Sequence, residues 1–156
     1  MKNNETGPCL KITGNSKLHG AVKIAGSKNA TLPIMAASIL ARGEVRLRNV
    51  PDLADISIMS EVLRVLGAKV ERNGDEMLID SRSVSNYEIP YELMSRMRAS
   101  IYVMGPLLAC YGQAKVSLPG GCAIGPRPVN FHLHGFELMG AETNFDQGYI
   151  DARCTR

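Results

Sequence analysis

The segment with the clearest chemical potential is residues 118–130, which holds three glycines, three prolines and Cys122. Glycine allows unusual backbone angles and proline fixes others, so this composition predicts a loop of defined shape. An exposed thiol serves as a nucleophile or proton donor, and Arg127, five residues after Cys122, would favour the thiolate and hold an anion nearby. The alternative is that Cys122 is a small buried apolar residue, the usual environment of a free cysteine.

Signatures of phosphate loops, dinucleotide sites and zinc sites do not fit this sequence. Residues 125–127 read Gly-Pro-Arg, without the Lys-Ser/Thr pair of a phosphate-binding loop, and no G-x-G-x-x-G follows a strand. Cys122, His132 and His134 form only a loose cluster, which does not have zinc-ligand spacing. We therefore expect no metal and no cofactor.

The four cysteines, at positions 9, 110, 122 and 154, include no C-x-x-C pair and are expected to be free thiols.

The composition limits the classes of function. The chain has 156 residues, 45% of them hydrophobic, and a net charge of +3 from scattered Lys and Arg. This mild charge favours a small anionic ligand over a nucleic acid. No apolar run is long enough to cross a membrane and residues 1–9 are polar, so we expect a cytoplasmic location.

Hydrophobic periodicity predicts the elements that must position these residues. The first helix is expected from Thr31 to about Ala41, with Thr31 as its N-cap and Pro33 in its first turn. Further helices are expected after Pro51 to about residue 66, over 92–110 with a division at Gly105-Pro106, and over 130–139. The second helix has one apolar stripe: Ile56, Met59, Val62, Leu63 and Leu66. Strands are expected at 10–12, 21–24, 45–47, 69–71, 77–79, 115–118 and on both sides of Gln147-Gly148.

The order of these elements repeats. Each copy runs through a helix, a glycine, a strand, a loop, a helix ending in Gly-Ala, and a hairpin. The glycines after the first helix of each copy, at 43 and 112, are 69 residues apart, and those that end the second helix, at 67 and 140, are 73 residues apart. Coincidence is the alternative, but the shared order favours duplication. The predicted fold class is α/β (α+β), built from repeated mixed units. Such folds need about three units to bury a continuous core, so two copies indicate that something is missing.

The cysteine loop closely resembles the active-site loop of the UDP-N-acetylglucosamine enolpyruvyl transferase family. The resemblance extends to residues 26–30 (Gly-Ser-Lys-Asn-Ala), 49–51 (Asn-Val-Pro) and 97–100 (Met-Arg-Ala-Ser), and spans about 10–150. The enolpyruvyl transferase of the shikimate pathway is a sister family that shares the fold but lacks this cysteine loop. The resemblance implies an inside-out α/β barrel, here incomplete.

The resemblance also implies a reaction. Members transfer the enolpyruvyl group of phosphoenolpyruvate to the 3′-hydroxyl of UDP-N-acetylglucosamine and release phosphate, the first committed step of peptidoglycan precursor synthesis and hence of cell wall biogenesis and cell shape. Cys122 matches the general acid that fosfomycin alkylates. Lys28 matches a phosphoenolpyruvate-binding lysine; otherwise it is a solvated surface residue.

The remaining candidate residues also come from the resemblance. Arg98 and Arg127 match arginines of the anion pocket that contact both substrates, and Asn29 matches an asparagine at the sugar. The stretch that cradles the uridine is Pro128, Val129, Asn130 and Phe131. Without the resemblance, Asn29 is a turn or cap residue and Arg98 an exposed helix residue.

Asn130 differs from the family, which usually has Asp at this position, and is expected to serve equally well as a helix N-cap. Pro126 replaces a small residue. His132 and His134 are expected to be structural, and Cys9, Cys110 and Cys154 inert.

Length is the main departure from the family. Its chains are more than twice as long and bind ligand between two domains, so the resemblance implies that residues 1–25 belong to the second domain and 26–156 to a partial first domain with two of three repeat units. A catalytic aspartate and a further arginine would lie in the missing C-terminal half, and this chain would be inactive alone. The alternatives are a non-catalytic module that binds the UDP-sugar, and a relative of the shikimate-pathway enzyme.

Overall fold

The structure is a computed structural model that describes residues 9–15, 17–117 and 129–154, apart from the side chains of Arg98 and Ser100. Its first unit begins with helix α1 and a 3₁₀ turn and ends with a β-hairpin. In chain order the elements are α1 (Lys28–Ala37), the 3₁₀ turn Ser38–Ala41, β1 (Glu44–Leu47), α2 (Ala54–Val65), β2 (Lys69–Asn73) and β3 (Glu76–Asp80). The predicted Asn73-Gly74 hairpin is confirmed, with Asn73 paired to Glu76.

The second unit has a similar order, but its 3₁₀ turn precedes its helix and two elements are added at its start. These are β4 (Glu88–Ile89) and α3 (Tyr91–Arg96). The 3₁₀ turn Arg98–Val103, α4 (Met104–Tyr111), β5 (Gln113–Ser117), α5 (Asn130–Leu138), β6 (Ala141–Asp146) and β7 (Tyr149–Cys154) follow. No helix in the described part of the chain is both long and apolar enough to cross a membrane.

The two sheets have the same pairing and register. The first has strand order β1-β3-β2, and the second β4-β5-β7-β6, with β4 added parallel to β5 and the other pairs antiparallel. Glu44 faces Asp80 in the first sheet, and Gln113 faces Arg153 in the second. Those positions are 69 and 73 residues apart, the spacings expected from the glycines. The strand pairing therefore supports a duplicated unit.

One apolar core runs between the helices and the sheets. The predicted stripe of α2 is fully buried: Ile56, Met59, Val62, Leu63 and Leu66 are each 0% exposed. Gly67 ends this segment with φ +103°, and a Cβ there would lie 2.6 Å from the Ser83 carbonyl oxygen. Only glycine fits both the backbone angle and the close approach, so the helix stops where the sequence predicts.

Arg42 joins the two units. It has φ +45°, its guanidinium lies 5.5 Å from the centre of the Tyr111 ring, and its Nη2 donates to the Cys110 carbonyl oxygen. Burial raises the pKa of Tyr111, and the nearby Arg42 charge opposes that rise. The helical segments of the two units therefore meet end against end.

The structure corrects the predicted starts of two helices. Helix α1 begins at Lys28 with Ser27 as N-cap, so Thr31 lies inside it, where its backbone N–H and its hydroxyl both donate to the Ser27 carbonyl oxygen at 2.9 and 2.8 Å. Pro33 consequently lies in the second turn, and has no N–H to donate to the Asn29 carbonyl. Helix α5 has Val129 as its N-cap, so Asn130 is its first residue and not its cap.

Two further predictions of secondary structure were wrong. The helical region after residue 90 is interrupted at Met97, which is extended and buried, whereas Gly105-Pro106 lies in the first turn of α4. A proline is tolerated there because the first N–H groups of a helix have no partner within it. Residues 10–12 and 21–24 form no strands, and Leu10, Ile12, Val22 and Ile24 are largely exposed.

Candidate active site

The segment that leads into α1 packs closely against the loop between β1 and α2. Gly26 makes this possible, because a Cβ at that position would lie 1.8 Å from the Asn49 carbonyl oxygen and 3.2 Å from the Pro51 ring. Asn49 has φ +57°, and the next residue, Val50, is buried and donates its N–H to the Asp75 carbonyl oxygen at 2.8 Å. Two of the sequence motifs, 26–30 and 49–51, are thus in direct contact.

Lys28 lies at the start of α1 and forms an ion pair with the next helix. Its Nζ is 2.7 Å from Oδ2 of Asp55, which lies in the first turn of α2. The two side chains are 46% and 32% exposed, so both can be reached from solvent. Asn29 follows Lys28 and is exposed. The structure therefore brings the predicted phosphoenolpyruvate-binding lysine and sugar-binding asparagine together at one accessible helix end.

The start of α1 offers backbone N–H groups beside the ammonium of Lys28. The helix has no acidic residue in its first turn, and no side chain among the described residues caps it. Free backbone N–H groups and the helix dipole favour an anion at such an end, and Lys28 adds a full charge. The arrangement suits a phosphate or carboxylate group, consistent with the expected role of Lys28.

Arg98 lies in an element that contacts α1. It begins the 3₁₀ turn Arg98–Val103, which packs against α1. Its side chain is outside the described part, and so are Cys122, Arg127 and Pro128. The predicted roles of these residues in the site therefore stay predictions.

The uridine-binding stretch is described only in part. Val129 is half-buried against the core, whereas Asn130 and Phe131 are exposed, Phe131 by 80%. His132 and His134 are also exposed on α5, where structural histidines were expected. The described residues of this stretch thus present an open surface at the start of α5.

Three other cysteines and one cavity are not part of the Lys28–Asp55 pair. Cys9 is exposed, Cys110 is buried and Cys154 is half-buried. A cavity of about 630 Å³ lies between residues 23–26, 49–52 and 72–75, but neither Lys28 nor Asn29 lines it. Its cations, Lys23 and Arg72, are paired with Asp75 and Asp52 at 3.4 and 3.2 Å.

Asp55 is the residue of this site that the sequence did not single out. The available signal was an acid in the first turn of a predicted helix, which is a common stabilising feature and by itself indicates no site. Its proximity to Lys28 depends on how α1 packs against α2, and that arrangement is not readable from spacing.

The architecture and the relatives agree on a class of protein. A crystal structure of the enolpyruvyl transferase NikO from Streptomyces tendae matches with a TM-score of 0.76 and 26% identity, over 92% of this chain and 32% of that chain. The fold is therefore that of the enolpyruvyl transferases, as the sequence predicted. A family model described as EPSP synthase (3-phosphoshikimate 1-carboxyvinyltransferase) matches residues 12–155, and the chain belongs to this family.

Among curated proteins, the similar sequences carry a more specific name. The UDP-N-acetylglucosamine 1-carboxyvinyltransferase of Cellvibrio japonicus is 58% identical over 91% of this chain, and that of Geotalea uraniireducens is 54% identical over 93%. The chain spans about a third of the length of these relatives, 34% and 35% respectively.

Proposed function

We propose that the protein carrying this chain transfers the enolpyruvyl group of phosphoenolpyruvate to the 3′-hydroxyl of UDP-N-acetylglucosamine. The observation that carries the proposal is the 58% identity to a relative with that name, over nearly the whole chain. The cysteine loop at 118–130 supports this substrate over shikimate 3-phosphate, because the sister family lacks the loop. The step would belong to peptidoglycan synthesis in the cytoplasm and would be a target of fosfomycin.

Lys28 is proposed to bind the anionic groups of phosphoenolpyruvate. The lysine ammonium has three donors, and Asp55 is the one acceptor paired with it among the described residues, which leaves two donors for a ligand at this exposed helix end. Arg98 and Arg127 are proposed to complete the anion pocket, since a guanidinium grips phosphate and carboxylate in a bidentate manner. The site is built for charge neutralisation before any bond changes.

Cys122 is proposed as the general acid. Its proton passes to C3 of phosphoenolpyruvate while the sugar 3′-oxygen bonds to C2 and loses its own proton to a base. Loss of a proton from C3 and departure of phosphate from C2 then restore the double bond. A positioned proton donor of this kind contributes typically about 10²- to 10⁴-fold in rate.

The UDP-sugar is proposed to contact Asn29 and residues 128–131. Asn29 lies beside Lys28 at the start of α1, where an amide can bond to sugar hydroxyls. Asn130 and Phe131 are exposed at the start of α5, open to a uridine. Asn130 has no charge, so its contribution would be a hydrogen bond.

Catalysis is proposed to need sequence beyond the 156 residues. The exposed apolar side chains of Leu10, Ile12, Val22 and Ile24 support placing residues 1–25 in a second domain, because a packed domain would bury such side chains. The 156-residue chain is therefore expected to release no phosphate alone. Residues 26–156 would be a partial first domain that lacks its third unit.

A chimera tests the proposal. Residues 12–155 replace the corresponding part of the Cellvibrio japonicus relative, and phosphate release is measured with phosphoenolpyruvate and UDP-N-acetylglucosamine. We expect turnover that Cys122→Ala lowers by at least about 100-fold. A folded chimera that works only with shikimate 3-phosphate would refute the substrate assignment. Calorimetric binding of UDP-N-acetylglucosamine by a folded chimera without turnover would favour the binding-module alternative.

A further inference from the structure

We infer that Asp55 is a positioning residue that holds the Lys28 ammonium in place for the phosphoenolpyruvate anion. The inference rests on the proposed function of Lys28 and assigns to Asp55 a part in it. Asp55 would act through Lys28 and make no contact with the reacting atoms.

The geometry gives Asp55 direct control over the lysine. The 2.7 Å contact between Nζ and Oδ2 is short enough for a charge-assisted hydrogen bond. A lysine side chain has several rotatable bonds and, when unpaired, samples many positions. The carboxylate fixes the end of that side chain, while the 46% exposure of Lys28 leaves the ammonium open to a ligand.

The backbone around the pair is also fixed. Gly26 packs against Asn49 and Pro51, so the segment that leads to Lys28 touches the loop that leads to Asp55. Helix α1 also packs against α2 along the core. Both ends of the ion pair are therefore anchored within a few residues, and the lysine position depends on one rigid contact.

The charge of Asp55 works against simple anion binding, and this argues for a positioning role. A carboxylate beside an anion site repels the ligand, so a site selected for affinity alone would omit it. Orientation provides the compensating advantage, because a misplacement of about 1 Å costs up to about 100-fold in rate. Substitution of Asp55 is thus expected to change kcat and the kcat/KM for phosphoenolpyruvate, and to leave the KM for the UDP-sugar unchanged.

Asp52 provides a matched control. It lies three residues before Asp55 and also forms an ion pair, but its partner is Arg72 at 3.2 Å and not Lys28. Asp52→Asn removes a carboxylate from the same approach to α2 without touching the lysine. Any effect shared by the Asp52 and Asp55 variants would reflect the local charge or the stability of α2.

The experiment measures kcat and KM for both substrates in the chimera and in its Asp55→Ala, Asp55→Asn, Lys28→Ala and Asp55→Ala/Lys28→Ala variants. Asp55→Ala is expected to lower kcat/KM for phosphoenolpyruvate by about 10- to 100-fold, with KM for UDP-N-acetylglucosamine changed by less than about twofold. Asp55→Asn keeps the side-chain shape and one acceptor oxygen, so it is expected to retain more activity. The double variant is expected to be no worse than Lys28→Ala alone, because Asp55 acts through that lysine.

The outcomes separate this inference from the proposed function. If the chimera turns over but Asp55→Ala and Asp52→Asn behave alike, the positioning role is wrong and the function stands. If the activity losses of the two single variants multiply in the double variant, the positioning role is also wrong, because Asp55 would then act independently of Lys28. If the unsubstituted chimera has no transferase activity, both proposals fail. Should Asp55→Ala unfold, the loss in Asp55→Asn relative to Asp52→Asn decides.

Discussion

Helices α2 and α5 occupy the same place in the two units, yet six residues of α2 are buried and only Leu133 of α5 is buried. Leu66 follows α2 and is 0% exposed, whereas Met139, which is 73 residues later and follows α5, is 76% exposed. Each helix packs against the first strand of the hairpin that follows it, and α2 packs in addition against α1, α3 and the 3₁₀ turn Arg98–Val103. Strand register can therefore be repeated faithfully while burial depends on which other elements cover each helix.

The segments before these two helices differ as well. Six residues join β1 to α2, and twelve join β5 to α5. The shorter segment contains Asn49 and Pro51 and serves as a packing surface for Gly26. The longer one carries Cys122 and Arg127. One copy of the duplicated connection is thus structural, and the other is the proposed site of chemistry.

The largest effect is expected from truncating Leu66, and Met139, at the corresponding position of the second unit, is the comparison. Leu66→Ala should lower the free energy of unfolding of the 156-residue chain by about 2–5 kcal/mol, because it leaves a cavity in the core. Met139→Ala should change it by less than about 0.5 kcal/mol, because that side chain is exposed. Urea unfolding of both variants measures the difference.

The same pair of variants sharpens the proposal of a missing third unit. If further sequence covers α5, Met139→Ala should become destabilising in the chimera while Leu66→Ala stays costly in both. An equally neutral Met139→Ala in the chimera would count against a unit that covers this helix.

The next effect is expected at the glycines that end the two helices. Gly67 and Gly140 have φ of +103° and +94°, but only at Gly67 does a Cβ meet a neighbour, the Ser83 carbonyl oxygen at 2.6 Å. Gly67→Ala should therefore cost about 2–3 kcal/mol in the free energy of unfolding, and Gly140→Ala about 1 kcal/mol from backbone strain alone. Equal losses in thermal unfolding would show that the close approach does not matter.

A smaller effect is expected from the contact that positions Lys28. Gly26→Ala would put a Cβ 1.8 Å from the Asn49 carbonyl oxygen, so the segment must move away from its loop. We expect about a tenfold lower kcat/KM for phosphoenolpyruvate in the chimera, about 1.4 kcal/mol of transition-state stabilisation. Gly43→Ala is the control, since a Cβ there would lie at an ordinary contact distance of 3.5 Å from its nearest neighbour, the Ala41 carbonyl oxygen. Unchanged kinetics in Gly26→Ala would show that the contact between Gly26 and Asn49 does not position Lys28.

The smallest effect concerns an ion pair at the end of β3. Hydrogen bonds from Arg82 lower the pKa of Asp80 from 3.8 to about 2. A carboxyl with a lowered folded-state pKa stabilises the fold above its unfolded pKa, and this stability is lost as the pH falls from about 4 towards 2. Asp80→Asn should thus lower the melting temperature slightly at pH 7 and not at pH 2. A pH-independent difference would contradict this origin.

Local signals predicted the elements that depend on their own sequence. The stripe of α2, its stop at Gly67 and the Asn73-Gly74 hairpin follow from side-chain period and turn chemistry, and the structure has all three. The duplication was also readable, because glycine spacing of 69 and 73 residues is preserved in the strand register. Resemblance, and not spacing, pointed to Lys28 and Asn29.

Only the tertiary structure decided features that depend on distant partners. Residues 10–12 and 21–24 have strand composition but no strand to pair with among the described residues, and backbone pairing cannot be supplied locally. The interruption at Met97 places its side chain in the core, and that burial outweighed helical periodicity. The pairing of Lys28 with Asp55 arises where α1 crosses α2. Sequence determined the repeated frame through local physics, and packing between elements determined burial and the charged pair, because these depend on residues far apart in the chain.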